Sequence, residues 1–226
     1  MSAPILFVWD FHGVLEKDNV YAVQELCNLV LQEFNLEKTI SLLDAKNWYG
    51  LSWYDYFKLA FAEGSEELWF AMVKRVSAIQ QLGGWDIVKK HIKPQDYYSE
   101  VLNEIKNRGH QNILLTNTEP KRASVFTDLV SLTSYFEHIV GVCDHNQSRV
   151  GQEISSVKSR VLLDFLQNKS YQKIVAIGDK ESDIKAGQSC GAVTYLFCSP
   201  EGTKKVFDTQ ANYIISDLRQ VLKELN

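Results

Sequence analysis

The sequence predicts an α/β fold: a doubly wound parallel sheet with an α-helical domain inserted near its start. Two observations predict it. Six short apolar runs, most of them ending in polar residues, recur along the chain, and helical patterns lie between them. One long stretch, residues 16–93, breaks this rhythm and shows only helical periodicity. The expected domains are therefore an α/β core from 1–15 and 94–226 and a helical insert over 16–93.

The first run is "ILFVWD" (5–10). Like the others it is continuous rather than alternating, as in a strand covered on both faces. The insert follows. Val23, Leu26, Cys27, Val30 and Phe34 share a helical stripe. So do Trp53, Phe57, Ala60 and Phe61, and then Trp69, Met72, Val73, Val76 and Ile79. Ser52 followed by Asp55 reads as a helix cap. Gly83, Gly84 and Pro94 punctuate the far end. The core resumes with a helix over 96–109, expected to be capped by Asp96 and stopped by Gly109. Then come "NILLTN" (112–117), "HIVGV" (138–142), a helix over 155–168 with Val161, Leu162, Phe165 and Leu166 on one face, "KIVAIGD" (173–179), "VTYLF" (193–197) and "YIIS" (213–216).

With 45% hydrophobic residues in 226, the chain can bury a sizeable core. A net charge of -4 argues against a nucleic-acid polymer as partner. Cys27, Cys143, Cys190 and Cys198 form no C-x-x-C pair, which gives a zinc site no support and reads as reduced thiols in the cytoplasm. No run approaches the ~20 apolar residues of a membrane helix, and no secretory signal is visible. His91, His110, His138 and His145 lack metal-ligand spacing. The sequence is silent on oligomeric state.

In an open parallel sheet, ligands bind at the carboxyl ends of the strands. Those ends supply Asp10, Thr116 with Asn117, and Asp179, and Asp183 follows four residues later in "GDKESD". Carboxylates that meet in a crevice need raised pKa values or a cation. An oxygen-only set suits Mg²⁺. With the Thr116 hydroxyl and Lys158 at a helix start, such a site is equipped to hold a phosphoryl group. Asp10 could attack phosphorus and form an aspartyl phosphate.

"DFHGV" (10–14), "LLTNT" (114–118), Lys158 and "GDKESD" (178–183), in this order, resemble the four motifs of the haloacid dehalogenase superfamily. The helical insert between the first two resembles the cap of its phosphoglycolate-phosphatase-like and β-phosphoglucomutase-like branch. The resemblance spans essentially the whole chain and implies a Rossmann-like core. It implies Asp10 as nucleophile and Mg²⁺ ligand, the His12 backbone carbonyl as a second ligand, and Asp179 and Asp183 as further ligands. Thr116 would bind a phosphoryl oxygen, Asn117 would orient the nucleophile loop or leaving group, and Lys158 would neutralise Asp10 and phosphate.

His12 is the departure. The family's phosphatases carry an aspartate there, which protonates the leaving oxygen and then activates water. Imidazole, with a pKa of ~6.5, is suited to the same work. Dehalogenases also lack that aspartate, but they need no Mg²⁺ and usually lack the acid pair kept here. Phosphonatases replace it with a cap lysine; Lys46 and Lys58 lie in the insert, and nothing singles either out.

In the insert, "NWYGLSWYDYF" (47–57) holds the best substrate clue. The loop around Gly50 resembles the specificity loop of such caps, so Tyr49, Gly50 and Tyr54 are candidate substrate contacts. "CDHNQSRVGQE" (143–153) is a polar loop expected to border the pocket. The reading is a cytoplasmic, Mg²⁺-dependent phosphatase of a small phosphorylated metabolite: a sugar phosphate, a nucleotide or a phosphoglycolate-like compound. The rival is a non-catalytic or very weakly active binding protein on the same fold. A phosphomutase, a phosphonatase and a haloacid dehalogenase are the remaining alternatives.

Overall fold

Strand β1 (Ile5–Trp9) has all five side chains buried. Its fully buried large side chains each stabilise the fold by about 2 kcal/mol. The computed structural model describes residues 3–142, 154–199 and 209–226. By contact density the chain divides into two units, one holding the described residues up to Glu16 and from Pro94 onward, the other Lys17–Lys93. The segments that cross between them are β2 (Glu16–Lys17) and β3 (Lys93–Pro94), which pair as a two-stranded ribbon.

The second unit is helical between those segments. It holds α1 (Asn19–Glu33), α2 (Leu42–Asn47), α3 (Trp53–Ala60), α4 (Glu66–Ile79) and α5 (Trp85–His91). Helix α1 buries Ala22, Leu26, Cys27, Val30 and Leu31, and α4 buries Met72, Val73, Val76 and Ile79. Serines start three of these helices: the hydroxyls of Ser41, Ser52 and Ser65 accept from the backbone N–H of Asp44, Asp55 and Leu68. Each such cap is worth about 1 kcal/mol. The chain runs from α4 through a π-helical turn, Gln80–Gly84, into α5.

In the first unit the chain continues with α6 (Tyr98–Asn107), β4 (Gln111–Thr116), α7 (Pro120–Leu129), β5 (His138–Gly141), α8 (Ile154–Leu166), β6 (Lys173–Gly178), α9 (Glu181–Ser189), β7 (Val193–Phe197) and β8 (Tyr213–Ile215). A short 3-10 turn covers Thr133–Tyr135, and a final 3-10 helix, Leu218–Leu225, packs on α6. The six strands order as β5-β4-β1-β6-β7-β8, all parallel. This is the Rossmann-like arrangement.

The sheet is covered on both faces, which explains its unbroken apolar strands. Leu6, Val8, Ile113, Leu115 and Ala176 form one core with Leu162 of α8, and Val161, Phe165 and Leu166 pack against it. On alternate positions, Phe7 and Trp9 stack toward the other face. There the Trp9 indole N–H donates to Asn112 Oδ1 at 2.9 Å, and the Asn112 amide donates to the Leu102 carbonyl of α6.

Asp96 does not cap α6. The helix begins one residue later than that cap requires, after Tyr97 in a left-handed conformation (φ 61°) that brings no side-chain cap. Cys27, Cys190 and Cys198 form no disulfide among the described residues, and Cys143 lies outside them. No described helix is long and apolar enough to cross a membrane.

Candidate active site

Register places the site. Trp9, the last residue of β1, pairs with Leu114 of β4 on one side and Ile177 of β6 on the other. The next residue, Asp10, donates its backbone N–H to the Ile177 carbonyl at 2.9 Å. Asp10 therefore lies between the ends of β4 and β6, where Thr116, Asn117 and Asp179 sit. Asp183 occupies the first turn of α9, and its carboxylate accepts the Lys180 backbone N–H at 3.1 Å. A carboxylate at a helix start is favoured by the exposed N–H groups and the dipole.

Asp10, Asp179 and Asp183 are all buried, and each offers an oxygen within 4.8 Å of the others. Among the described residues this is the only group of three or more acidic, histidine or cysteine side chains so placed. Lys158, on α8, is 1% exposed and joins two of them. Its Nζ lies 2.7 Å from Asp10 Oδ1 and 2.5 Å from Asp183 Oδ1. Burial works against the ammonium charge, but Asp10 and Asp183 outweigh it and hold the Lys158 pKa above the ordinary value. For Asp10 the balance goes the other way. Burial, helped by Asp183 and Asp179, overrides Lys158 and pushes its carboxyl up to about 6.

Two glycines make room for this cluster. Gly13 has φ +82°, and a Cβ there would stand 2.8 Å from Asp179 Oδ2. At Gly178 a Cβ would meet the Asp183 Cβ at 2.1 Å. The "HGV" and "IGD" glycines are thus needed for the carboxylates to converge.

The residues fit a divalent cation. Three carboxylates against one ammonium leave two negative charges uncompensated when all are ionised. The donors are all oxygen, the preference of a hard cation such as Mg²⁺. Asp10, Asp179 and Asp183, with the His12 carbonyl, are the residues that would hold it.

Thr116, 1% exposed, has its hydroxyl oxygen 3.3 Å from the Thr118 backbone N–H, which donates to it, and 3.4 Å from the Thr118 hydroxyl. The buried Asn117 Oδ1 has no hydrogen-bond partner. A buried amide oxygen without a donor is costly, and a ligand or water can supply one. His12 Nδ1 lies 3.0 Å from Glu16 Oε1.

Tyr49, Gly50 and Tyr54 lie in the helical unit. The Tyr49 hydroxyl accepts from Asn19 Nδ2 at 3.2 Å, Gly50 has φ 85°, and Tyr54 packs against Trp69 and Phe70. Residues 143–153 fall outside the described residues. Of the other histidines, His91 pairs with Glu25 at 2.7 Å, His110 accepts the Ile5 backbone N–H, and His138 packs edge-on to Phe165.

A family model described as haloacid dehalogenase-like hydrolase matches residues 7–197, which takes in both acidic motifs, Thr116 and Lys158. The chain belongs to the haloacid dehalogenase-like hydrolases. Among solved structures, a predicted phosphoglycolate phosphatase from Haemophilus somnus aligns over 100% of both chains at 16% identity with a TM-score of 0.79. A haloacid dehalogenase-like family hydrolase from Streptococcus pneumoniae aligns over 100% of both at 14% identity with a TM-score of 0.77. A predicted phosphatase from Clostridium acetobutylicum aligns over 100% of this chain and 99% of its own at 18% identity with a TM-score of 0.73. At these identities the likeness is one of fold. No curated protein sequence matches.

Within this haloacid dehalogenase-like hydrolase, two residues beside the motifs were not foreseen. Glu16 is 1% exposed, although nothing but a carboxylate four residues after His12 signalled it. Thr118 holds the Thr116 hydroxyl, and its only signal was a second threonine in "TNT".

Proposed function

We propose that the protein is a Mg²⁺-dependent phosphatase that forms an aspartyl phosphate on Asp10. The observation that carries this reading is the buried Lys158 ammonium, 2.7 Å from Asp10 and 2.5 Å from Asp183, set among three converging carboxylates. Mg²⁺, held by Asp10, Asp179, Asp183 and the His12 carbonyl, would supply positive charge to neutralise phosphoryl oxygens.

The chain's own residues do the rest. Lys158 offsets charge on Asp10 and on the incoming phosphate, so the two anions can approach. An Asp10 oxygen attacks phosphorus as the bond to the leaving oxygen breaks. Thr116 donates its hydroxyl hydrogen to a phosphoryl oxygen, and the unpartnered Asn117 Oδ1 accepts from the leaving group or from a donor on the nucleophile loop. His12 gives its proton to the leaving oxygen. It then takes a proton from the water that hydrolyses the aspartyl phosphate and releases inorganic phosphate.

The substrate class is a small phosphorylated metabolite: a sugar phosphate, a nucleotide or a phosphoglycolate-like compound. Tyr49, Gly50 and Tyr54 of the helical unit are the proposed specificity residues. The test is phosphate release from a panel of such compounds and a generic aryl phosphate. Release that requires Mg²⁺, stops with EDTA and is lost in Asp10→Asn supports the reading. Binding of phosphate compounds with no release from any of them would make this a non-catalytic member. Halide release that EDTA leaves intact would make it a dehalogenase.

A further inference from the structure

We infer that Glu16 is a positioning residue that fixes the ring of His12 with Nδ1 protonated, so that Nε2 is the nitrogen that works on the substrate. The inference rests on the acid/base role proposed above for His12.

Glu16, Phe11 and Phe126 surround the imidazole. Glu16 Oε1 lies 3.0 Å from Nδ1. The Phe11 ring packs edge-on to it at 4.9 Å between centroids, and the Phe126 ring does so at 4.8 Å. The two aromatic rings set the plane of the imidazole, but neither distinguishes its nitrogens. The carboxylate does. The Glu16 oxygen that faces Nδ1 already accepts the Gly13 backbone N–H, so it meets the ring as an acceptor, and a hydrogen bond to it places the proton on Nδ1.

Glu16 is itself held in place. The same Oε1 accepts the Gly13 backbone N–H at 3.1 Å. Its side chain is 1% exposed while that of His12 is 20% exposed. The carboxylate is therefore on the protein side of the imidazole, and the ring has its accessible part elsewhere. A buried carboxylate with no such partners would be strongly unfavourable. An orienting carboxylate behind an imidazole that transfers protons is a recurring solution in hydrolytic enzymes. Here it compensates for the change of residue type at position 12: aspartate has equivalent oxygens and needs no tautomer control, whereas histidine does.

The pairing completes the proton balance of the proposed reaction. The imidazolium releases the Nε2 proton to the leaving oxygen and becomes the neutral Nδ1–H form. That form presents a basic Nε2, which accepts the proton of the attacking water. Neutral His12 with its proton on Nε2 could not take that second proton at the substrate side.

The test uses the full ¹⁵N-labelled chain with Mg²⁺, and its first readout is independent of turnover. Histidine side-chain ¹⁵N shifts are recorded above the pH at which the imidazoles are neutral, with His12 identified by its loss in His12→Gln. The expected result is an Nδ1–H tautomer in the wild type and a shift toward Nε2–H in Glu16→Leu. Glu16→Gln, whose amide oxygen can still accept from Nδ1–H, should keep the wild-type tautomer. An Nε2–H tautomer in the wild type overturns the inference even if Glu16→Leu does not fold, and so does an unchanged tautomer in a folded Glu16→Leu. If the tautomers follow expectation and no compound is hydrolysed, Glu16 still positions His12 and it is the phosphatase reading that fails. Where phosphate is released, Glu16→Leu should lower kcat roughly 100-fold with little change in KM, Glu16→Gln should recover much of the loss, and adding Glu16→Leu to His12→Ala should cost nothing further. An additive loss overturns the inference.

Discussion

The Lys158 ammonium stands 2.7 Å from the Asp10 carboxylate, joining residues 148 positions apart in the chain inside a buried crevice. Lys158 also contacts Asp183 at 2.5 Å, so it is the counter-charge on which the metal-free site depends. Lys158→Met removes that charge and leaves the carboxylates buried together. Without Mg²⁺ the variant is expected to lose about 3–5 kcal/mol of stability, and Mg²⁺ should restore a larger part of it than it adds to the wild type. Urea unfolding with and without Mg²⁺ measures both. Equal stability of the two proteins in EDTA would mean that the carboxylates are protonated or solvated in the metal-free state.

The Asp183 side chain occupies the space beside Gly178. A Cβ at 178 would stand 2.1 Å from Asp183 Cβ and 2.6 Å from Asp183 Oδ2, so Gly178→Ala must displace the carboxylate. The expected result is a fall in Mg²⁺ affinity of roughly 10–100-fold, read by calorimetric titration, with the far-ultraviolet dichroism of the sheet unchanged. Gly13→Ala should act in the same direction through Asp179, with added strain because φ is +82°.

Proton and metal compete for Asp10. Its carboxyl is raised from 3.8 to about 6, chiefly by burial. A raised pKa means that the metal-free folded state binds more protons than the unfolded chain between those values. The contribution of Asp10 to metal-free stability is therefore full below about 3.8 and is lost as pH rises through about 6. Mg²⁺ must displace the proton below about 6, so its binding should strengthen as pH rises through that value. The increase in Tm on adding Mg²⁺ should accordingly be small at acid pH and grow toward neutrality. In Asp10→Asn this growth should be much reduced.

Much of this was legible because the sheet is parallel and doubly covered. Its strands are unbroken apolar runs, and a carboxylate at the end of such a run, as at Asp10 and Asp179, can be placed from sequence. The helical stripe of α8, with Val161, Leu162, Phe165 and Leu166, was equally readable, since 3.6-residue spacing maps directly to a face. What failed was local. Asp96 matched the composition of a helix cap, but Tyr97 takes a left-handed conformation that no side-chain preference for tyrosine signals. Gly83 and Gly84 were read as punctuation near the far end of the insert, and the π-helical turn they belong to has no signal in the sequence. Glu16 was invisible for a different reason. Its meaning depends on the turn at Gly13, which brings its carboxylate back onto both His12 and the Gly13 N–H. A contact made through a loop has no periodicity to betray it.

Glu224, near the chain end, provides a test of the fold away from the proposed active site. It lies in the final 3-10 helix and is 8% exposed. Its Oε2 accepts from Lys173 Nζ at 2.8 Å, at the start of β6, and its other oxygen accepts from the Tyr195 hydroxyl of β7. Burial alone would raise its pKa, but Lys173 and Tyr195 outweigh burial and hold it below the ordinary 4.5. A depressed pKa means that the stabilisation is present above about 4.5 and is lost as pH falls through the lower folded-state value. Glu224→Gln keeps the size and one acceptor but removes the charge. It should lower stability by about 1–2 kcal/mol at neutral pH, and the difference from wild type should close as pH falls below about 4.5. Tm measured against pH for the two proteins reads this directly. A gap that stays constant down to acid pH would assign the loss to packing rather than to the Lys173–Glu224–Tyr195 charge network.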